Sequence, residues 1–194
     1  MTSYIKSKLT DMTSRCKSHL GASDFNHEAT MTPMATESEP RWLDDEEQDT
    51  WLSLIGVLMK LPAALDAQLQ RDAGVTHFEY MTMATLSQAP ERTLRMSTLA
   101  ASTESSLSRL SQVVSRLEKR NWVRRAPDPS DGRYTLATLT DDGWKKVRET
   151  APGHVQAVRD YVFTPLTKAQ IRQLTGIDNR ILKAIKSDQA HPEH

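Results

Sequence analysis

Residues 94–120 read LRMSTLAASTESSLSRLSQVVSRLEKR, and this stretch decides the fold. A short helix that Ser97 can cap leads through a Ser/Thr-rich turn into a longer helix from about Ser105 to Arg120. The apolar residues expected on the buried face of the longer helix recur at spacings of three and four: Leu107, Leu110, Val114 and Leu117. Two helices joined by a short polar turn predict a helix-turn-helix.

The opposite face of the longer helix carries long, flat hydrogen-bonding groups and small hydroxyls. Its members are Ser105, Arg109, Gln112 and Arg116, flanked by Ser108 and Lys119. Arginine can donate twice to guanine and glutamine can both donate to and accept from adenine, so these types suit a DNA major groove. The alternative interpretation is an ordinary solvated helix face.

Charge along the chain favours the DNA interpretation. The whole chain is neutral, with 25 Lys plus Arg against 25 Asp plus Glu. Between Arg92 and Arg125, however, eight cations face two anions, a net charge of +6, whereas residues 37–49 carry a net charge of −6. The basic part coincides with the predicted helix-turn-helix, as a nucleic-acid-binding surface requires.

A turn-rich hairpin follows the longer helix. Strands are predicted at Trp122–Ala126 and Arg133–Leu139, joined by the turn formers PDPSDG of residues 127–132. Arg133 stands just past the tip, where a wing could place a guanidinium in a minor groove, and Asp131 could hold it there. The alternative is an ordinary exposed ion pair.

The remaining periodicity is helical, which predicts a mainly α fold with a small β-hairpin wing: a winged helix-turn-helix with N- and C-terminal dimerisation helices. The flanking helices are predicted at about Asp44 to Gly74 with a kink at Pro62, at Thr76–Ser87, at Thr140 onward with a break near Pro152-Gly153, and at Thr167 to about Ser187.

The predicted domains are a disordered tail (1–40), an N-terminal dimerisation helix (41–74), the DNA-binding winged helix-turn-helix (75–140), C-terminal dimerisation helices (141–187) and a frayed end (188–194). An over-long start is a further hypothesis for the tail, because Met12, Met31 and Met34 could each replace Met1 as the start.

These residues together resemble the multiple-antibiotic-resistance regulator (MarR) family from about Arg41 to Ser187. The resemblance is carried by QRDAG (70–74), LRMS (94–97), Leu99-Ala100, SLSRL (106–110), RLEKR (116–120), DGR (131–133) and LTDDG (139–143). Two departures are Asn121, where the family usually has glycine, and Glu104, where a neutral residue is common. Asn tolerates the left-handed conformation that a helix C-cap needs.

The resemblance implies a homodimer held by the terminal helices, with recognition helices in successive major grooves of a pseudo-palindrome and wings in flanking minor grooves. Carried over by position, the groove-facing residues are Ser106, Ser108, Arg109, Gln112 and Arg116, and the wing-tip pair is Asp131 and Arg133. The resemblance also implies a small-ligand pocket between the DNA-binding lobe and the dimer helices. The candidate lining residues for a small aromatic effector are Trp51, Met59, His77, Tyr80 and Met81; plain core packing is the alternative at helical spacing.

Other function classes find little support in the sequence. The one cysteine, Cys16, allows no intramolecular disulfide, and Cys16, His19 and His27 are too loosely spaced to predict a metal site. Neither a catalytic triad nor a phosphate-binding glycine loop stands out, so we expect no enzyme and no cofactor. The apolar segment 52–69 is interrupted by polar residues and proline, from which we expect no membrane span and a cytoplasmic protein.

The sequence therefore predicts a sequence-specific, double-stranded-DNA-binding transcriptional regulator, a repressor by the resemblance. An effector that changed the spacing of the two recognition helices would release it from its operator. The alternative is a winged-helix protein-interaction module without DNA readout, which charge-neutral replacement of Arg109 or Arg133 would distinguish.

Overall fold

The computed structural model describes residues 41–189 of the chain. The predicted tail of residues 1–40, and with it Cys16, His19 and His27, lies outside the described residues, as does most of the predicted frayed end. The described chain divides into two compact units, one up to Leu58 and one from Met59 onward. The domain boundaries drawn from the sequence stay predictions.

Helices dominate the described residues, and the short strands form one sheet. The elements are α1 (Asp45–Ala73), α2 (His77–Gln88), a 3-10 turn (Pro90–Arg92), β1 (Thr93–Arg95), α3 (Met96–Ser102), α4 (Leu107–Lys119), β2 (Val123–Asp128), β3 (Asp131–Leu139), α5 (Asp141–Val158), a π-helical turn (Arg159–Phe163) and α6 (Lys168–Gln189). The antiparallel sheet has the order β1-β3-β2. The predicted fold class, mainly α with a hairpin wing, is confirmed.

Side-chain caps fix the helix starts that the sequence predicted. The Thr76 hydroxyl accepts from the Glu79 N–H at 3.2 Å, and the Glu79 carboxylate accepts from the Thr76 N–H at 2.9 Å, a reciprocal capping box. The Thr140 hydroxyl accepts from the N–H of Gly143 at 3.0 Å at the start of α5. Just after the C-terminal end of α4, Asn121 adopts φ 57°, the left-handed conformation that the sequence predicted for it.

Several predicted boundaries are wrong. Strand β1 was not predicted; it runs directly into α3, so Arg95 rather than Ser97 stands at the N-cap. Helix α5 does not break near Pro152-Gly153 but continues to Val158, since the residues around the proline remain packed through Val147, Thr150 and Ala157. Strand β2 extends past Ala126 to Asp128, with a register shift between Pro127 and Asp128.

The core lies between α2, α3, α4 and the sheet, and it also includes Leu69 from the end of α1 and Val147 of α5. Its fully buried members include Leu69, Met83, Leu86, Leu99, Leu110, Val114 and Leu117. Leu107 was predicted on the buried face of α4, and this is wrong, because its side chain is 53% exposed. The buried stripe of α4 begins one turn later and includes Val113, which the sequence pattern had left out.

Residues 41–58 make their own local contacts. The backbone N–H of Glu47 donates to Asp44 at 2.8 Å and the Glu47 carboxylate accepts from the Asp44 N–H at 3.1 Å, a reciprocal cap at the start of α1. Five of the large apolar side chains of this unit are exposed: Trp42, Leu43, Trp51, Val57 and Leu58.

Helix α1 is unbroken although Pro62 lies inside it. By length and composition alone it could cross a membrane, since its most apolar window has a mean hydropathy of 1.4. Core helices of soluble proteins pass the same test. The expectation that the polar interruptions exclude a membrane span was therefore too strong.

Candidate DNA-binding surface

The predicted groove-facing residues share the side of α4 that lies away from the core. Ser106, Ser108, Arg109, Gln112 and Arg116 are all exposed, whereas Ser105 is half-buried. Helix α4 has no acidic residue in its first turn. The structure thus places a row of hydroxyl, amide and guanidinium groups opposite the buried stripe.

The turn before α4 is fixed by its own hydroxyls. The Ser106 hydroxyl caps α4 by accepting from the Arg109 N–H at 3.3 Å. Ser105 contacts the Thr103 hydroxyl at 3.1 Å, which explains its lower exposure. Glu104 adopts a left-handed φ of 48°, which turns the chain between α3 and α4. The Ser106 O–H remains able to donate to a phosphate or a base.

The guanidinium of Arg109 rests on an aromatic ring of α2. Its Cζ lies 4.5 Å from the centre of the Phe78 ring, and Phe78 in turn packs against the core. A cation over an aromatic face at this distance is attracted by the ring. Arg109 therefore presents its N–H groups from a restricted set of orientations.

The guanidinium of Arg116 is held by the neighbouring residue of α2. Arg116 Nε lies 3.1 Å from Glu79 Oε1, and the Glu79 side chain is only 6% exposed. The same carboxylate caps α2 through its other oxygen. Phe78 and Glu79 thus orient both outward arginines of α4, a role that the sequence pattern did not reveal.

Arg125 joins the wing to the back of α4. It binds Glu118 through Nε at 2.9 Å and Nη2 at 2.6 Å, and it donates to the hydroxyls of Ser111 and Ser115. The hydrogen bonds from Arg125 hold the pKa of Glu118 below its ordinary value, although burial opposes this. The Arg125 side chain is therefore bound to α4, and its guanidinium links β2 to this helix.

Arg133 and Asp131 form an ion pair at the wing tip. Arg133 Nη2 lies 2.6 Å from Asp131 Oδ2 and Nε lies 2.9 Å from Oδ1, while the Arg133 side chain stays 84% exposed. The hydrogen bonds from Arg133 lower the pKa of Asp131, and the same contact raises the pKa of Arg133. The pair therefore presents an exposed cation whose direction the aspartate sets.

A second aspartate, Asp128 at the end of β2, anchors the turn at the wing tip. Asp128 accepts from the N–H of Ser130 at 2.9 Å, from its hydroxyl at 2.6 Å and from Arg95 Nε at 2.9 Å. These contacts, those of Ser130 first, lower the pKa of Asp128. Arg95 also lies over the Tyr134 ring at 4.2 Å. The D-P-S spacing of an Asx turn was the one sequence signal for this anchor.

The local charge excess is smaller in space than along the sequence. Four of the eight cations between Arg92 and Arg125 pair with carboxylates: Arg92 with Asp141, Arg95 with Asp128, Arg116 with Glu79 and Arg125 with Glu118. Three of those carboxylates, Asp141, Asp128 and Glu79, lie outside residues 92–125. Within the described residues, Arg109 and Lys119 are the cations of α4 without an ion pair.

The predicted ligand-pocket residues are only partly brought together. His77 and Tyr80 of α2 both contact the His154 ring, with centroids 5.8 Å and 4.8 Å away. Trp51, Met59 and Met81 are instead exposed by 45%, 69% and 41%. The sequence did not single out His154, because a polar residue on an amphipathic helix gives no signal of its surroundings.

Three buried polar atoms near this contact have no hydrogen-bond partner within the described part of the chain. They are Gln68 Oε1, Thr150 Oγ1 and His154 Nδ1. Burial, together with the charge of His77, lowers the pKa of His154, and burial lowers that of His77 despite the nearby Asp66. Both imidazoles are thereby favoured in their neutral form.

Comparison with known proteins decides the family. Residues 73–133 match the MarR family. The structure resembles that of Sco3205, a MarR family transcriptional regulator from Streptomyces coelicolor solved in complex with DNA, with a TM-score of 0.73 and 47% identity over 76% of this chain and 92% of that one. The chain belongs to the MarR family of transcriptional regulators.

Other MarR-family proteins agree with this assignment. AbsC of Streptomyces coelicolor shares 34% identity over 76% of this chain and 99% of its own, with a TM-score of 0.72. The HTH-type transcriptional repressor MdtR of Bacillus subtilis is 25% identical over 146 residues, 75% of this chain and 92% of that protein. In this MarR-family chain the family match spans α2, α3, α4, β2 and the first residues of β3, up to the wing-tip Arg133.

Proposed function

We propose that this MarR-family protein is a transcriptional repressor that binds double-stranded DNA as a homodimer at a pseudo-palindromic operator. The observation that carries the proposal is the outward face of α4, where Ser106, Ser108, Arg109 and Gln112 are exposed and the Arg109 guanidinium is already oriented by Phe78. Groups held in their binding geometry lose less conformational entropy on binding.

Each exposed group of α4 has a matching partner in DNA. Arg109 and Gln112 supply the bidentate contacts that discriminate guanine and adenine in the major groove, each worth ~1–3 kcal/mol. Ser106 and Ser108, at the positive end of the helix dipole, bind phosphate or a base edge. Arg133, exposed and steered by Asp131, inserts into the flanking minor groove.

The terminal helices support the homodimer. Helix α6 carries Leu174, Ile177, Ile181, Leu182 and Ile185 on the spacing of one helix face, and these side chains are 37–53% exposed. A helix face of this kind is stabilised when it packs against another protein surface. The exposed apolar side chains of residues 42–58 in the other unit would be stabilised by packing in the same way. Two-fold pairing would bury both sets and match the symmetry of a palindrome.

The protein acts in the cytoplasm, without enzymatic activity and without a cofactor. The regulator class of its family supports this part of the proposal. Among the described residues, no three His, Cys, Asp or Glu side chains cluster as metal ligands. In this proposal the apolar side chains of α1 pack in the homodimer interface, and the helix does not span a membrane.

A small aromatic effector relieves repression by binding beside His77 and Tyr80. The unpartnered polar atoms of Gln68, Thr150 and His154 support a polar occupant there. Thermal unfolding with a panel of phenols and aromatic acids tests this: an effector raises the melting temperature and weakens operator binding. Failure of every compound to do so would remove the effector from the proposal.

The decisive experiment is fluorescence anisotropy of the full chain with DNA from upstream of its own gene, against scrambled duplex of equal length across a salt series. Specific binding exceeds scrambled DNA by about 10³-fold or more. The variants are Arg109→Gln and Arg133→Gln. Arg124→Gln is the matched control, because it removes the charge of another exposed arginine. Arg124 lines a cleft with Glu91 and Arg92, and no residue of α4 lines that cleft.

Arg109→Gln lowers affinity for the preferred DNA by about 5- to 150-fold and relaxes its specificity. Arg133→Gln weakens binding and reduces its salt dependence, and Arg124→Gln does so less. Equal, weak and steeply salt-dependent binding to both duplexes, unchanged by either substitution, would instead favour the protein-interaction module. Fragments from the whole genome, screened in the same assay, separate that outcome from an operator located elsewhere.

A further inference from the structure

Arg95 connects the start of α3 to the tip of the wing. It is the last residue of β1 and the N-cap of α3, and it pairs with Leu136 of β3. Within the described residues its side chain makes no capping bond to α3. The guanidinium binds Asp128 instead, with Nη2 2.8 Å and Nε 2.9 Å from Oδ2. It also lies 4.2 Å from the centre of the Tyr134 ring, so Arg95 contacts both strands of the wing.

Two carboxylates stand side by side at the wing tip that Arg95 contacts. Asp128 and Asp131 are partners in the register of β2 and β3. The hydrogen bonds from Arg133 lower the pKa of Asp131 most, the charge of Arg95 lowers it further, and the charge of Asp128 raises it. Arg95 therefore offsets the repulsion between the two carboxylates.

The same carboxylates link Arg95 to the exposed cation of the wing. Asp131 holds Arg133 at 2.6 Å, and the Arg133 side chain is 84% exposed. Asp128, whose side chain is only 9% exposed, binds Arg95 and the backbone and hydroxyl of Ser130 in the turn. The direction of Arg133 thus depends on a turn that Arg95 attaches to the helix-turn-helix.

We infer that Arg95 is a positioning residue, which holds the wing tip in the conformation from which Asp131 directs Arg133 into the minor groove. Arg95 acts through these contacts and does not itself bind DNA. The inference rests on the proposed function, since it assumes that Arg133 enters a minor groove beside each half-site.

Loss of the Arg95 side chain loosens the tip in two ways. The wing loses its bonds to the residue that starts α3, and the repulsion between Asp128 and Asp131 is no longer offset. A group that must be ordered on binding loses more conformational entropy than one already held in place. Arg133 therefore binds more weakly and distinguishes less between narrow and wide minor grooves.

A double-mutant cycle separates positioning from direct contact. The full chain, Arg95→Gln, Arg133→Gln and the double variant are titrated by fluorescence anisotropy with the operator from the assay proposed above. We expect Arg95→Gln to weaken binding by no more than Arg133→Gln does, and to have little further effect once Arg133 is replaced. The two effects then fall short of additivity by about two-fold or more.

The base pairs that flank each half-site give a second readout. An arginine in the minor groove favours the narrow groove of A·T tracts, so operators with A·T flanks are compared with operators that have G·C flanks. Arg95→Gln should lose most of the preference for A·T flanks but keep the preference for the half-site itself. A general loss of structure would remove both preferences.

Arg92→Gln is the matched control. Arg92 also pairs with a carboxylate, Asp141 at 3.0 Å, and lies over an aromatic ring, Trp144 at 5.0 Å, but both partners belong to α5. Its replacement should leave the flank preference unchanged and combine additively with Arg133→Gln. Arg95→Lys keeps the charge but cannot reproduce the planar contact with both partners, so it should restore only part of the flank preference. Circular dichroism verifies that every variant is folded.

Three outcomes overturn the inference while leaving operator recognition intact. Additive effects of Arg95→Gln and Arg133→Gln would mean that Arg95 acts on DNA independently of Arg133. An unchanged flank preference in Arg95→Gln, or none in the unsubstituted protein, would mean that Arg95 does not position a groove-reading wing. Loss of the half-site preference in Arg95→Gln would make its role a general structural one. Absence of any preference of the unsubstituted protein for the operator over scrambled DNA would overturn both proposals together.

Discussion

Glu79 binds Arg116 with one carboxylate oxygen and caps its own helix with the other. Because this carboxylate is almost fully buried, its loss leaves the Thr76 N–H and the Arg116 guanidinium without a partner. We predict that Glu79→Ala lowers the free energy of unfolding by ~1–3 kcal/mol. Glu79→Gln, which keeps an acceptor oxygen, costs less.

Urea denaturation measures both Glu79 variants, with Glu149→Gln as the control. Glu149 belongs to an exposed pair with Lys145 at 4.0 Å, so its replacement changes stability by less than ~0.5 kcal/mol. Equal stability of Glu79→Ala and the unsubstituted protein would contradict the double role. Operator affinity of Glu79→Gln reports separately on the orientation of Arg116.

Gly143 lies too close to the wing to carry a side chain. A Cβ at this position would stand 2.1 Å from the Trp122 carbonyl oxygen and 2.7 Å from Leu139 Cδ1. Since the obstacle includes backbone, we expect Gly143→Ala to destabilise the protein by ~1–3 kcal/mol or more. Gly132→Ala is the control, because a Cβ there meets nothing within 4 Å. Thermal unfolding compares the two; identical melting temperatures would refute the close approach.

Stability should fall as the pH drops below the ordinary histidine pKa of 6.5. Burial and the neighbouring His77 hold the pKa of His154 lower in the folded state, so the unfolded chain takes up the proton first. The stability is complete above this ordinary pKa and declines as the pH falls through the folded value. The groups facing the pair are Tyr80, which contacts His154, and Asp66, which acts on His77.

His154→Gln should flatten this pH dependence, measured as the free energy of unfolding at closely spaced values from about pH 7.5 to about pH 5. A glutamine keeps a polar side chain but does not titrate. His77→Gln should flatten it less, because Asp66 opposes the shift of the His77 pKa. An unchanged slope in His154→Gln would mean that other groups dominate this pH range.

Ile181→Asp should dissociate the proposed homodimer, since Ile181 lies centrally on the exposed apolar face of α6. A carboxylate buried in such an interface costs several kcal/mol unless it finds a partner. Analytical ultracentrifugation over a range of protein concentrations gives the dissociation constant. Asn179→Asp, two positions away and also exposed, adds the same single negative charge and is the control. A monomeric unsubstituted protein would reject the dimer itself.

Much of the fold was predictable because it depends on local chemistry. Thr76, Thr140 and Asn121 stand at helix ends that their own side chains or backbone preferences determine. Strand β1 was not predictable in this way. Its three residues form a strand only because β3 pairs with them, a contact more than 40 residues distant along the chain.

The candidate surface was predictable as a set of residue types but not as a set of contacts. Periodicity places Arg109 and Arg116 on one face of α4, yet it cannot show that Phe78 and Glu79 hold them. Leu107 shows the converse error: it fits the apolar period, but it lies at the helix end, beyond the reach of the core. Tertiary packing decides both cases.

The first turn of α2 divides four consecutive residues between two environments. His77 and Tyr80 contact His154, whereas Phe78 and Glu79 contact the arginines of α4. A genetic screen for altered operator preference should therefore recover substitutions in this turn, although none of its side chains is proposed to contact a base. Variants selected there for new DNA preferences would often carry altered stability as well, so the two traits would be inherited together.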